Sequence, residues 1–416
     1  MSTRVVRSLK EWKGERLDDR IARLVAGVEA EFSLLVDDRL TRPEDLFRDP
    51  RGFITVPLMH RTGRSFHLPN GAAIYFDTGV IEIASPVMEL ERGCFGRLAR
   101  SLELAIALVR QQLDDWERIA GRTARLQGFS THYNIAVDDG SDVRAPSERI
   151  RQLSWLLTHV VPAPVMMLGT NPRSTGVGVR PRPRRIEITA DFPPDPIRLA
   201  ATGSVIAGIV SAVTQWKDLG VDRLRARRVP VIDGFRPMRH TSRRGWLARF
   251  DCYPDNPFTA GPDRPIWPTT CGQLSLRSIA LGVFDAFRDS IRRVSDPLSY
   301  RVASRILSGA ARSWLDDPDR PASYDDVGRG TLMPAALNGL GLARYERVVL
   351  NAIEARPLML ATETWTPVAV HGWSRVEFRR DRDGLRTVLP LDTLVDQLAE
   401  WESGESAEDA DDADFD

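Results

Sequence analysis

The sequence has few of the residues that mark zinc fingers, disulfide scaffolds or membrane spans. Its three cysteines, Cys94, Cys252 and Cys271, form no C-x-x-C pair, which argues against a zinc site or a disulfide framework and fits a reducing compartment. The N-terminus is charged, and no uninterrupted apolar run reaches the roughly 18 residues that a membrane helix needs. We therefore expect a soluble, cytoplasmic protein without a membrane partner.

Lysine is also rare, and the formal net charge is zero. Lys10, Lys13 and Lys217 are the only lysines among 57 basic residues, which 57 acidic residues balance, so the charge gives no reason to expect a nucleic-acid partner. Eight acids and no base lie in 402–416, which leaves residues 1–401 with a formal charge of +8. Such a body suits anionic ligands such as nucleotides, although a solvated basic surface explains it equally well. No Walker or Rossmann glycine motif is present.

The order of the apolar patterns predicts an α+β protein. Strand-like segments alternate with long helical ones up to a cluster of prolines near 254–268, and helical patterns dominate beyond it. We place a domain boundary there. The predicted parts are an N-terminal extension (1–20), a main domain built on a sheet (21–265), a smaller, mostly helical C-terminal domain (266–401) and a disordered acidic tail (402–416).

Three local predictions concern the main domain. Phe53 to Met59 is predicted as a strand, and the segment 169–183, rich in Gly, Pro and Arg, as a long loop. A helix that begins at Ser147 is predicted to end at Pro162 and Pro164.

Carboxylates lie at alternate positions of two predicted strands. Glu29 and Glu31 are two residues apart, so they project from the same face of a sheet. Asp77 and Glu82 lie in otherwise apolar surroundings, where desolvating an unpaired carboxylate is expensive. A bound divalent cation, or a substrate proton to be removed, explains this placement. Salt bridges to arginine and a solvent-facing acidic pair are the alternatives.

Further polar side chains lie on other strand candidates. Tyr75 precedes Asp77, His132 and Asn134 share one strand face, and Arg185 and Glu187 share another. Inward polar side chains on four strands predict an open sheet whose concave face is a hydrated metal site. A basic run that includes Arg243, Arg244 and Trp246 can hold phosphate and stack a base, or can form a salt-bridged surface.

Residues 20–260 resemble a known family in the order and spacing of these blocks. The segments Gly27 to Phe32, Asn70 to Asp77 and Glu82 to Pro86 are similar to the Pup ligase and depupylase branch of the glutamine synthetase-like carboxylate–amine ligases. Arg185-Ile186-Glu187, followed by Asp195-Pro196 and an Ala/Gly-rich helix, is similar to glutamine synthetase itself. The resemblance implies a curved antiparallel cradle with helices on its outer face.

The resemblance also implies ATP and Mg²⁺ as cofactors and an acyl-phosphate route to an amide or isopeptide bond. Carried over by position, Glu29, Glu82 and Glu187 would be Mg²⁺ ligands, Asp77 the base, and Arg185 a phosphate ligand. After His132 the Pup ligases have a glutamate ligand where this chain has Tyr133, so either that ligand position is lost or His132 or Asn134 replaces it. Thr189 stands where glutamine synthetase has a second arginine.

The leading hypothesis is therefore an ATP-dependent carboxylate–amine ligase of the Pup-ligase type. A deamidase or isopeptidase like the depupylase is the first alternative, and glutamate–cysteine-ligase-like chemistry on small molecules is another. A degenerate cradle that only binds a nucleotide or a partner protein is the non-enzymatic alternative. The expected partners are a nucleotide and either a small disordered protein ending in Glu or Gln, or a small amine.

Overall fold

A computed structural model describes residues 24–137, 145–240, 245–329 and 333–403. The described strands are β1 (Val25–Val36), β2 (Arg39–Thr41), β3 (Met59–Thr62), β4 (Ser65–His67), β5 (Ala73–Asp77), β6 (Val80–Ala84), β7 (Met88–Glu89), β8 (Ala124–Ala136), β9 (Gly176–Arg182), β10 (Arg185–Asp191), β11 (Met238–Arg239), β12 (Trp246–Arg249), β13 (Trp267–Thr269), β14 (Gly272–Leu274), β15 (Leu358–Leu360), β16 (Glu363–His371), β17 (Arg375–Arg380) and β18 (Arg386–Pro390).

The described helices are α1 (Pro43–Phe47), α2 (Cys94–Ala120), α3 (Glu148–Thr158), α4 (Pro162–Gly169), α5 (Pro196–Val213), α6 (Val221–Ala226), α7 (Leu276–Ala286), α8 (Arg288–Val294), α9 (Pro297–Leu307), α10 (Ala335–Asn338), α11 (Arg344–Ile353), α12 (Leu391–Asp396) and α13 (Leu398–Ser403). Short 3₁₀ turns separate some of them.

One large antiparallel sheet organises the protein, as the fold-class prediction required. Its described strands follow the order β11-β12-β9-β10-β8-β1-β6-β5-β4-β3, with β2 and β7 paired to β1. Strand β1 is central, and its burial alternates: Val28, Ala30 and Phe32 are buried, whereas Glu29 and Glu31 point to the other face. One face is therefore apolar and the other carries acids.

Helices cover the apolar face, and small residues let them approach closely. A Cβ built on Gly203 of α5 would lie 2.0 Å from the Phe95 ring of α2, and one on Gly208 would lie 2.5 Å from the Ile291 backbone of α8. Among the described helices, α5 alone has the length and hydropathy of a membrane span, although 78% of it is buried inside the protein. Its burial makes it a core helix.

Two hydrophobic clusters divide the described chain. The larger one runs from Ala26 through the helix-covered face of the sheet to Ala343, and so includes α7 to α9. The smaller one joins Tyr345 to Trp401, where α11 to α13 pack on the sheet β15-β16-β17-β18, and it also takes in Val25. The predicted boundary at residue 265 thus falls within the span of the larger cluster and stays a prediction. The extension 1–20 and residues 404–416 of the predicted tail lie outside the described residues. The predicted start of the tail was too early, because Glu402 and Ser403 belong to α13.

Two of the three local predictions were wrong, and the third was incomplete. Residues 53–58 form no strand, and pairing starts at Met59. Segment 169–183 is not a loop, because 176–182 is β9, paired on both sides and with buried Val177 and Val179. Helix α3 ends at Thr158, before the prolines, but Pro162 then occupies the first position of a further helix, α4, where its missing N–H is harmless.

Candidate functional site

Strand register brings the predicted acids together on the open face of the sheet. Glu31 of β1 lies opposite Glu82 of β6, which in turn lies opposite Tyr75 of β5. On the other side of β1, Glu29 lies opposite His132 of β8. Because partners in register share a face, these side chains converge from four neighbouring strands.

The ligand atoms of five residues are close enough to share metal ions. Oxygen or nitrogen atoms of Glu29, Glu82 and His132 lie within 4.8 Å of one another, and so do oxygens of Glu31, Asp77 and Glu82. Glu82 belongs to both groups. We call these five residues the acidic cluster. The sequence predicted all five as site residues, and the structure places them together.

Hydrogen-bonding side chains hold the cluster on the β8 side. Nδ1 of His132 lies 3.5 Å from Oε2 of Glu29, and its Nε2 lies 3.8 Å from Oε1 of Glu31. Ser130 donates its hydroxyl proton to Glu31, and Asn134 donates to Glu29 at 3.3 Å. The imidazole therefore bridges the two β1 carboxylates, which lie two residues apart.

The titration of the cluster reflects crowded carboxylates. Burial and the charge of Glu29 raise the pKa of Glu82 to about 8. Burial opposes ionisation of Glu29 as well, but the hydrogen bond and charge of His132 outweigh it and lower the pKa of Glu29. In turn, Glu29 and Glu31 raise the pKa of His132 against the effect of burial. Oxygen-rich, crowded carboxylates of this kind fit a hard cation such as Mg²⁺.

Glu187, the third glutamate implied as a magnesium ligand, lies outside both groups. Its side chain is buried, with Oε1 2.5 Å from Nη2 of Arg180 and Oε2 2.6 Å from Nε of Arg182. Burial would raise the pKa of Glu187, but these two guanidinium groups lower it. Two arginines thus occupy the oxygens that a metal would need.

Arg185 and Arg180 border the cluster from the β9–β10 side. Arg185 donates from Nε to Oδ1 of Asn134 at 2.9 Å, so it lies beside Glu29. Arg180 donates to Oγ1 of Thr189 at 2.7 Å and lies 3.3 Å from Nε2 of His132. The open face therefore carries acids at β1, β5 and β6 and guanidinium groups at β9 and β10.

The predicted base-stacking residue, Trp246, does not lie with the others. It pairs with Val179, on the helix-covered face, and its ring meets that of Trp155 of α3 at 4.4 Å. Its neighbours Arg243 and Arg244 lie outside the described residues.

The departure at Tyr133 has a geometric explanation. Tyr133 is buried among the helices, because side chains along β8 alternate between the two faces. His132 and Asn134 therefore point to the acids: His132 joins Glu29 and Glu82 in a group with metal-ligand spacing, and Asn134 donates a hydrogen bond to Glu29.

Three polar residues at the site escaped the sequence interpretation. Ser130 lies two residues before His132, so alternation along the strand would have found it. Arg180 lay in the segment predicted as a loop. Arg61 of β3 comes from a strand whose start was misplaced, and its electrostatic interaction with Glu29 and Glu82 is visible only in three dimensions.

The fold and the acid-lined sheet define a cradle of the glutamine synthetase-like type, and the resemblance to its Pup-ligase branch is confirmed at the level of the fold. No protein-family model and no curated protein matches the sequence. The structure is similar to the ligase PafA in its crystallised complex with the prokaryotic ubiquitin-like protein Pup, with a TM-score of 0.50, 13% identity, and coverage of 92% of this chain and 93% of that one.

Proposed function

We propose that this protein is an ATP- and Mg²⁺-dependent carboxylate–amine ligase of the Pup-ligase type, which forms an amide or isopeptide bond through an acyl phosphate. The observation that carries the proposal is the acidic cluster: four carboxylates and one imidazole converge in a fold similar to that of a Pup ligase. The carboxylates of such a site repel one another, whereas a divalent cation with bound phosphates would be attracted to them.

Each residue has a proposed part. Glu29, Glu82 and His132 would hold one metal position, and Glu31, whose carboxylate lies beside that of Glu82, would be available to a second. Bound Mg²⁺ would neutralise phosphate oxygens during phosphoryl transfer. Asp77 would accept the proton of the incoming amine, and Arg185, which binds Asn134 through Nε, would hold phosphate oxygens with its terminal nitrogens.

Tyr75 and the arginines of β9 and β10 would supply further hydrogen-bond donors and positive charge around the bound phosphates. Tyr75 hydrogen-bonds Glu82, and burial together with the neighbouring carboxylates raises the pKa of its hydroxyl well above the usual value, so it stays a neutral donor. Glu187 would serve to fix Arg180 and Arg182 near the pocket.

The proposed partner is a small protein or peptide that ends in Glu or Gln, because the structurally similar ligase is bound to the small protein Pup. A free small amine is the alternative acceptor. The proposed compartment is the cytoplasm.

Product stoichiometry tests the function. The purified chain is incubated with ATP, Mg²⁺, a peptide with C-terminal glutamate and an amine such as an acetyl-lysine amide. A ligase forms conjugate and ADP in equal amounts, and only when both substrates are present. A parallel reaction uses a peptide that ends in glutamine. Release of ammonia from that glutamine without net ATP turnover would instead identify the deamidase alternative. The Asp77→Asn variant serves as the matched inactive control.

A second candidate, a cradle that binds nucleotide without catalysing ligation, is favoured by the ion pairs of Glu187. If that glutamate contributes nothing to metal binding, fewer ligands remain to position phosphates. The chain would then gain thermal stability from Mg-ATP while forming neither conjugate nor ammonia.

A further inference from the structure

A guanidinium group lies between two aromatic rings at the edge of the cradle. Arg61 of β3 is placed 5.9 Å from the ring centre of Tyr75 in β5 and 5.0 Å from that of Trp373. Trp373 lies between β16 and β17 of the C-terminal sheet. Cation–π contacts of this kind hold the plane of an arginine in place.

The contact joins two separate parts of the chain. Trp373 also meets the ring of His67 in β4 edge-on at 5.0 Å, and Nε2 of His67 lies 3.2 Å from the carbonyl oxygen of Val370, which accepts its proton. The loop that carries Trp373 is thus fixed against the cradle at the position of Arg61.

Arg61 has hydrogen-bonding capacity that the protein leaves unused. Its Nη1 donates to Oγ of Ser65 at 3.2 Å, whereas its buried Nε has no hydrogen-bond partner among the described residues. Its interactions with Glu29 and Glu82 are electrostatic, without a hydrogen bond to either carboxylate. A mostly buried guanidinium without a paired carboxylate is unfavourable. A bound anion would remove this penalty.

The surroundings specify the kind of anion. Arg61 interacts electrostatically with Glu29 and Glu82, so it borders the acidic cluster without pairing with it. A simple anion would be repelled by those carboxylates. An anion that arrives with a divalent cation satisfies both, because the metal binds the carboxylates and the arginine fork binds the anionic oxygens.

We infer that Arg61 is a phosphate-binding residue for a metal-bound polyphosphate, with Tyr75 and Trp373 holding its guanidinium plane. The inference rests on the proposed function and deepens it, because it assigns a second side of the phosphate site. It also makes the C-terminal sheet, through Trp373, a structural part of that site.

Isothermal titration with Mg-ATP and with Mg-tripolyphosphate tests the inference. Arg61→Gln should weaken both ligands at least about 10-fold, because one charge-assisted, forked contact is lost. Arg61→Lys should give an intermediate loss, since charge remains but the fork does not. Arg64→Gln, an exposed arginine in the same hairpin, is the matched control and should bind within about twofold of wild type.

The outcomes separate the two proposals. Wild type and Arg61→Gln binding both ligands equally would overturn the role of Arg61 and leave the proposed function standing. Binding of tripolyphosphate that depends on Arg61, without binding of ATP, would support the phosphate site and count against the ATP-dependent function. Absence of binding of either ligand by wild type would overturn both. If Arg61→Gln does not fold, the lysine variant decides by the same comparison.

Discussion

Replacing Glu82 with glutamine should stabilise the metal-free protein at high pH and remove its response to Mg²⁺. Glu82 is 3% exposed and belongs to both metal-ligand groups. Burial and the charge of Glu29 raise its pKa from 4.5 to about 8. The folded protein therefore favours the protonated form. The stabilising contribution of protonated Glu82 is fully present below its pKa in the unfolded state, near 4.5. It is lost as the pH rises through its pKa in the folded state, about 8.

The size of this loss follows from the two pKa values. At about 1.36 kcal/mol per pH unit, the difference corresponds to at most roughly 5 kcal/mol, of which about 3–4 kcal/mol falls between pH 5 and pH 8. A neutral glutamine of the same shape does not ionise. Relative to wild type, Glu82→Gln should therefore gain about 3–4 kcal/mol in free energy of unfolding between these pH values, or roughly 4 °C in Tm for a chain of 416 residues.

Thermal unfolding at pH 5 and pH 8, with and without Mg²⁺, measures both effects. Mg²⁺ should raise the Tm of wild type at pH 8 and leave Glu82→Gln nearly unchanged, because the variant lacks the shared ligand. Glu103→Gln is the matched control. Burial and the charge of Asp195 raise the pKa of Glu103 to about 7, but this residue lies on α2, outside the acidic cluster. Its removal should change the pH dependence and preserve the Mg²⁺ response.

Two results would refute this reasoning. The first is a Tm difference between Glu82→Gln and wild type that is the same at both pH values. The second is an equal Mg²⁺ response in the two proteins.

Three other substitutions have defined outcomes. Asp77→Asn should lower conjugate formation at least about 100-fold while ATP affinity stays within about threefold, since a base is removed; lost ATP binding would contradict the role. Gly208→Ala should lower the free energy of unfolding in urea by about 1–3 kcal/mol or more, because its Cβ would lie 2.5 Å from Ile291 Cα; unchanged stability would show that α8 can move away. Arg182→Gln should raise the pKa of Glu187, measured by NMR titration, because one of two guanidinium groups is lost, and an unshifted pKa would show that Arg180 alone controls it.

A control accompanies the glycine substitution. Gly341→Ala introduces the same methyl group where nothing lies within 4 Å, so it should leave the free energy of unfolding unchanged within about 0.5 kcal/mol.

The acidic cluster could be predicted because strand geometry has a period of two. Glu29 and Glu31 alternate with residues that are fully apolar, and this pattern fixes which face each acid occupies. The family resemblance then implied that these acids converge in one cradle, but not which strands pair. The structure supplies that register: β1 pairs with β6 and β8, so Glu82 and His132 flank the same two glutamates.

The arginine side of the site could not be predicted in this way. Strand β9 has only Val177 and Val179 as large apolar residues, and its glycines and arginines are typical of a loop. Pairing with β10 and β12 makes it a strand, and that pairing is a tertiary effect. The two ion pairs of Glu187 depend on it, so they were equally hidden.

Trp246 shows the limit of composition as a guide. A tryptophan near arginines fits a nucleotide site as well as a packed surface, and one step of strand register decides between them. Here the register places Trp246 on the helix side, against Trp155.

The metal-and-phosphate site is tested most directly by crystallography. The full chain is crystallised with Mn²⁺ and a non-hydrolysable ATP analogue, and an anomalous difference map locates the metal. We expect a peak at coordination distance, about 2.2 Å, from carboxylate oxygens of the acidic cluster, with Glu82 among the ligands and phosphate density beside it. A peak elsewhere, or nucleotide bound away from Glu29, Glu82 and His132, would contradict the proposed site.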